Sequence, residues 1–420
     1  MKSNQFGKAT LGRLWKRVRG GMMLGVFLVW LPGVIMAQHS SEGSLQMVSA
    51  AADGWQRELY GLMRGGEAQR SLAFVDSVLG SSEHIEIVSR SEQGVVARLR
   101  GDRPGRRIAL RAVISPMDAM QKAPHFVPQR GQLLGWHHAE SALLLGAAKM
   151  LELMQGSLRG DVYFIFEINA GKGACESAEV LARVKELQRV EAVYSMALEA
   201  EVPDGSVGIL PEGVVSPAED YFKLLLYGRE GDGATPERCA DALVAGAALV
   251  GVLQTLVSRG AAPHEATVVN VGKMAAGESA RLVAGQALLE GAVYTHSIAE
   301  RKRVELGIRE QADGIAKAYG VAVRCDYVKG PSPLRNDGKL IGVVQSAAVK
   351  AVGKNAVRQR GSVNRGETLS CYASVAPLCL FTIGAGDVSE VGAAPYVPLT
   401  TMMGALKAET QLVLEFLGRR

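Results

Sequence analysis

Cysteine is scarce in this 420-residue chain: there are five, at Cys175, Cys239, Cys325, Cys371 and Cys379. An odd number at irregular spacing excludes a disulfide framework, and no C-x-x-C pair offers a zinc knuckle or a dithiol redox site. Buried small apolar residues are the ordinary reading for such thiols. If the chain reaches an oxidising compartment, Cys371 and Cys379 are the pair to check for a bond. Internal repeats and low-complexity segments are absent too. No Gly-x-Ser-x-Gly elbow is found, which removes the usual serine-hydrolase signature. The segment "YGREGDGATP" matches neither phosphate-binding glycine pattern, so it reads as a turn between a strand and a helix. The "ERKRVE" run reads as a solvated helix face.

The first 37 residues contain no acidic side chain. Lys2, Lys8, Arg13, Lys16, Arg17 and Arg19 precede an apolar run, "MMLGVFLVWLPGVIMA", which is short for a bilayer span and interrupted by Pro32 and Gly33. Ile35 and Ala37 suit the −3 and −1 positions of a signal-peptidase site, so residues 1–37 are expected to be an export signal. An uncleaved membrane anchor is the alternative. Without those six basic residues the remainder carries 41 basic against 42 acidic side chains. The whole-chain excess of basic charge therefore gives no reason to expect a nucleic-acid partner.

The full chain is 48% hydrophobic and 21% charged, and it is long enough for two globular domains. A helical lead-in from Leu45 is followed by the alternating runs "EHIEIVSR" and "QGVVARLR". Residues 107–114 and 161–168 are β-branched or aromatic runs flanking a helix expected at 141–154. Strand, helix, strand at that length is a crossover unit of an α/β sheet. Between residues 216 and 328 the pattern changes to strand, a helix opened by Pro236, two strands, a helix closed by Gly320, and a strand. That βαββαβ order is a ferredoxin-like split unit. The expected fold class is thus α/β, with one domain built from residues 45–215 and 329–420 and a second inserted between them.

The stretches "SALLLGAAKMLEL", "GDVYFIFE", "LQTLVSRGAAPHEATVVNVGK" and "AKAYGVAVRCDYVKGPSPLRND" resemble the co-catalytic metallopeptidase superfamily of aminoacylases. Within it they are similar to the amidohydrolase branch that contains hippurate hydrolase and the auxin-conjugate hydrolases. The resemblance runs from about Trp55 to the C-terminus. It implies a phosphorylase/hydrolase-like metallopeptidase domain with an inserted ferredoxin-like dimerisation (lid) domain. It also implies two divalent metals sharing a water, with a glutamate as general base.

The positions that would carry this chemistry are mostly empty of it. Aligned on the family, the five metal-ligand positions are Gly135, His137, Gly171, Ala197 and Ala393, and only His137 can coordinate a metal through its side chain. The general-base position is Ala170, followed after Gly171 by Lys172. The histidine that reaches a neighbouring subunit's site corresponds to Asp232, and two substrate-carboxylate positions to Arg281 and Tyr294. The Asp that orients a ligand is Val113, while Glu367 is a polar family position that is kept.

His137 and His138 read in the first instance as polar residues in a loop entering the helix. His137, His138, Glu140 and Glu367 are the residual candidates for a rebuilt site, with Asp118 a further carboxylate. The expectation is an exported amidohydrolase-fold protein without metal-dependent catalysis, acting as a homodimeric binding or scaffold protein for a peptide or N-acyl amino acid. On that reading no cofactor is required. The alternative is an active amide hydrolase with a divergent zinc or manganese site.

Overall fold

The computed structural model describes residues 41–115, 136–169, 175–200, 202–386 and 396–418. The 1–37 segment, Asp118, Gly135, Ala170, Gly171, Lys172 and Ala393 lie outside the described residues.

Two helices, α1 (Ser41–Arg64) and α2 (Ala68–Gly80), lead into the hairpin β1 (Ile85–Ser91) and β2 (Gly94–Arg100). There follow β3 (Arg103–Ile114), α3 (His137–Leu153), β4 (Arg159–Ile168), α4 (Cys175–Ala182), β5 (Ala192–Glu199), β6 (Val207–Ile209) and β7 (Gly213–Ser216). The inserted unit comprises β8 (Ala218–Tyr227), β9 (Gly231–Asp232), α5 (Ala242–Leu253), β10 (Thr267–Ala276), β11 (Leu282–Val283), β12 (Gln286–Thr295), α6 (Ile298–Tyr319) and β13 (Ala322–Lys329). The chain then returns through β14 (Leu334–Asn336), α7 (Gly338–Val352), β15 (Val357–Gln359), β16 (Leu378–Gly384) and α8 (Leu399–Gly418).

Eight strands make the main sheet in the order β1-β2-β4-β3-β5-β16-β6-β15. Its centre is parallel, β4 with β3, β3 with β5, and β5 with β16. A parallel centre buried on both faces explains the near-continuous apolar runs of these strands. Period-two alternation still sorts the side chains between two cores. On β5, Tyr194, Met196 and Leu198 join the core under α1, α3, α7 and α8. Val193 and Ala197 join the opposite core under α4 and the 3-10 turn Thr368–Tyr372.

The inserted unit has a four-stranded sheet ordered β10-β12-β8-β13, the topology of a ferredoxin-like βαββαβ unit. Phe222, Leu224, Leu226, Leu249, Leu289 and Ile308 belong to a core of its own.

Four local expectations need correction. Helix α3 begins at His137, not at residue 141, so His137 and His138 occupy its first turn and not a loop. Pro236 opens only the 3-10 turn Pro236–Arg238; α5 starts after Asp241, whose carboxylate caps the Leu243 and Val244 amides. The "ERKRVE" run is not wholly solvated, because Glu300 and Arg301 are buried. Of the pair singled out for checking, Cys371 bonds to Cys175 and Cys379 stays free. The reason is sidedness: Cys371 packs against the α4-side core, whereas Cys379 points from β16 into the opposite one.

Candidate functional site

The carboxyl ends of β3, β4, β5 and β16 and the first turn of α3 converge on one edge of the main sheet, the usual location of sites in open α/β sheets. Three groups of polar side chains are built there.

The first is centred on Arg111, in the carboxyl-terminal half of β3. Its Nε and Nη2 reach the two oxygens of Glu167 on neighbouring β4 at 3.0 and 3.1 Å, and its Nη1 reaches Glu367 at 2.6 Å. Thr368 and Tyr372 donate to the same Glu167 at 2.7 and 3.0 Å, and Thr368 also accepts from Arg111. Burial works against the Arg111 charge, but Glu167 and then Glu367 outweigh it, so the guanidinium pKa is held above its ordinary value. For Glu367 burial pushes upward, yet Arg111 and Arg365 hold the carboxyl below the usual glutamate value. Burial and the nearby Glu167 charge raise the Tyr372 phenol, which stays a donor. Glu367 also caps the 3-10 turn through the Leu369 amide at 3.3 Å.

The second group is Glu199, at the end of β5, with Thr382 donating at 2.9 Å and Arg360 Nε at 2.9 Å. Ala197 lies on the same face of β5, two residues earlier, opposite Thr382 of β16.

The third surrounds the start of α3. His137 Nδ1 and Glu140 Oε2 are 3.0 Å apart, and the other Glu140 oxygen accepts the Leu198 amide at 3.0 Å. His138 is buried, with its ring edge-on to Tyr60 at 5.2 Å. Tyr60 packs in the same way on Tyr396. Behind Glu140, Glu409 of α8 is fully enclosed. Its Oε2 finds no hydrogen-bond partner among the described residues. Burial, then the Glu140 charge, pushes its pKa up to about 8.

The sequence-derived positions are therefore only partly assembled. His137, His138 and Glu140 share a helix turn, while Glu367 belongs to the Arg111 group. Asp232 and Arg281 sit together at a small two-stranded antiparallel sheet of the inserted unit, β9 with β11, where Gly233 donates to the Arg281 carbonyl at 2.9 Å. Tyr294 points its hydroxyl at Glu219, 3.4 Å away, and its pKa is pushed up to about 12 by burial and then by that carboxylate. Arg111, Glu167, Glu199, Arg360 and Glu409 were not among the sequence candidates. A lone arginine inside the apolar run "IALRAVI" was the available signal for the first of these.

The sequence profile of peptidase family M20/M25/M40 matches residues 113–415. The chain belongs to this family. It is 28% identical over 319 residues to the N-acetylcysteine deacetylase of Bacillus subtilis (strain 168), covering 73% of this chain and 81% of that protein. It is also 28% identical over 286 residues to the N-acyl-L-amino acid amidohydrolase of Geobacillus stearothermophilus, covering 67% and 77%. Among solved structures, a dinuclear metal binding peptidase of the M20 family from Bacillus subtilis superposes with a TM-score of 0.63. Its sequence identity is 21%, over 87% of this chain and 99% of that one. An aminobenzoyl-glutamate utilization protein from Klebsiella pneumoniae gives 0.70 at 18% identity, over 90% and 100%.

The Bacillus subtilis structure is described as dinuclear metal binding, so the donor set of this chain matters. Among the described residues, no three His, Cys, Asp or Glu side chains lie close enough together to hold an ion. The three carboxylates on the α4-facing side of the sheet are each matched by a guanidinium, and Ala197 offers only a methyl group. The described residues do not fit a metal pair, so no chemical step is routed through one here.

Proposed function

We propose that this M20-family chain is an amidohydrolase-fold protein that does not carry out metal-dependent hydrolysis and instead binds a ligand or partner through the retained scaffold. One observation carries the reading: Arg111 and Arg360 hold Glu167, Glu367 and Glu199 in charge-assisted ion pairs, which engage and neutralise the carboxylates that metal coordination or base catalysis would draw on. The similarity to N-acyl amino acid hydrolases and deacetylases makes a peptide or N-acyl amino acid the ligand class to test first. Export through residues 1–37 and a homodimer through the inserted unit complete the proposal. The dimer is supported by the exposed Leu243, Val244, Met274 and Leu282 of that unit.

The deciding experiment is elemental mass spectrometry of the purified chain after loading with zinc or manganese and desalting. No retained metal is expected. Two metals per chain would replace this reading with active amide hydrolysis.

A second reading has one observation in its favour. Glu140, anchored by the Leu198 amide, orients His137 much as a carboxylate orients a catalytic imidazole. It requires hydrolysis of N-acetyl amino acids that disappears in His137→Ala, and such activity would overturn the first proposal.

A further inference from the structure

The 3-10 turn Thr368–Tyr372 is held from two sides. Inward, Thr368 and Tyr372 donate to Glu167 in the Arg111 network. Outward, Cys371 is bonded to Cys175, the first residue of α4, across a sequence separation of 196 residues with Cα atoms 6.2 Å apart. Helix α4 lies on the same core as the turn, with Ala178 and Leu181 packed alongside Leu369 and Tyr372. A closed loop of interactions results: β4 carries Glu167, Glu167 holds the turn, the turn is bonded to α4, and α4 packs back on the sheet.

The other three cysteines are poorly placed to exchange with this bond. Cys379 is buried on the opposite face of the sheet, and burial raises its thiol pKa. Cys239 and Cys325 belong to the inserted unit. Cys175 and Cys371 are each only half-buried.

We propose that Cys175–Cys371 is a redox-sensitive clasp on the buried Arg111 network, opened by a dithiol reductant and closed by reoxidation. The exchange balances. A thiolate of the dithiol attacks one sulfur, forming a mixed disulfide and expelling the other cysteine as a thiolate. The dithiol's second thiol then displaces the remaining cysteine. Two electrons and two protons pass to the protein, which gains two thiols, and the reductant leaves as its cyclic disulfide. Opening the bond frees the turn from α4 and leaves Thr368 and Tyr372 to hold Glu167 without covalent support. The clasp stands whether or not the chain binds metal, so its test is separate from the metal measurement.

The test is peptide mapping and hydrogen exchange on the full chain with and without dithiothreitol. Under oxidising conditions a Cys175–Cys371 linked peptide is expected, with Cys239, Cys325 and Cys379 alkylated. Reduction should speed exchange in 368–376 and at the end of β3 by about tenfold or more, while the inserted unit is unchanged. Cys175→Ser should match the reduced protein and ignore the reductant. Should that variant fail to fold, reduced wild-type protein still carries the test. Free thiols at both positions, or exchange in the turn that reduction leaves unaltered, would overturn the proposal.

Discussion

Arg111 and Glu167 face each other from adjacent parallel strands, two nitrogens to two oxygens at 3.0 and 3.1 Å, with both side chains sealed from solvent. Two-point pairing of this kind suits the rigid fork of a guanidinium and would not survive replacement by lysine. A buried pair contributes little net stability against an apolar equivalent, yet removing one partner strands the other charge in a medium that cannot solvate it.

Arg111→Met should therefore lower stability by about 3–5 kcal/mol, since it uncovers both Glu167 and Glu367. Urea denaturation of the variant measures this. The double change Arg111→Met with Glu167→Leu should recover part of the loss, because it removes one stranded charge together with its partner. A single variant as stable as wild type would mean that water enters the network.

Glu409 gives the protein a pH dependence of known sign. Its folded pKa of about 8 lies above the ordinary glutamate value of 4.5. Between those values the folded state holds a proton that the unfolded state has released, so stability falls as pH rises, by up to about 1.4 kcal/mol per unit. Below 4.5 and above 8 this group adds no slope. Urea midpoints at pH 5.5 and 8.5 should converge in Glu409→Gln relative to wild type. Equal pH dependence in the two proteins would show that Glu409 is hydrated.

Part of this architecture was legible because periodicity is local. The apolar runs around residues 107–114 and 161–168 mark strands buried on both faces, and the βαββαβ order of the inserted unit follows from alternating patterns closed by Gly320. The Arg111 cluster was not legible, since Glu167 and Glu367 lie 56 and 256 residues away and no local rule pairs them. The same holds for Cys175 with Cys371: spacing along a chain does not reveal which face of a sheet each sulfur occupies. The start of α3 at His137 was not legible either, since Trp136 at its N-cap position has no polar side chain to cap the helix.

Arg301 shows how a charge run can mislead. It sits in "ERKRVE", yet it binds Asp220 through Nε at 2.9 Å and the Gly330 carbonyl at 2.8 Å, while Asp220 also accepts the Gly330 amide and the Tyr327 hydroxyl. This cluster ties together the two segments that connect the inserted unit to the rest of the chain. Arg301→Met should cost about 3–5 kcal/mol, whereas Lys302→Met, one residue along on the exposed face, should stay within about 0.5 kcal/mol. Limited proteolysis near residue 330 provides a second readout, with faster cleavage expected only in Arg301→Met.

Helix α5, "ALVAGAALVGVL", has no charged residue on any face, a pattern that normally belongs to a fully buried helix. Here only one side is buried, by Ala242, Ala245, Leu249 and Leu253, while Leu243 and Val244 are exposed. Met274 of β10 and Leu282 of β11 expose apolar surface from the same unit, and the Met274 methyl lies near Gly246 of α5. Exposed apolar side chains gathered on one unit are a recognised mark of an interface. Burying it against a second copy satisfies α5 on its open side. Sedimentation should accordingly find a dimer for wild type, and Leu243→Glu with Val244→Lys should convert it to a monomer with unchanged circular dichroism, because neither side chain enters the core of the unit. A wild-type monomer at micromolar concentration would direct the search for α5's cover to a different protein.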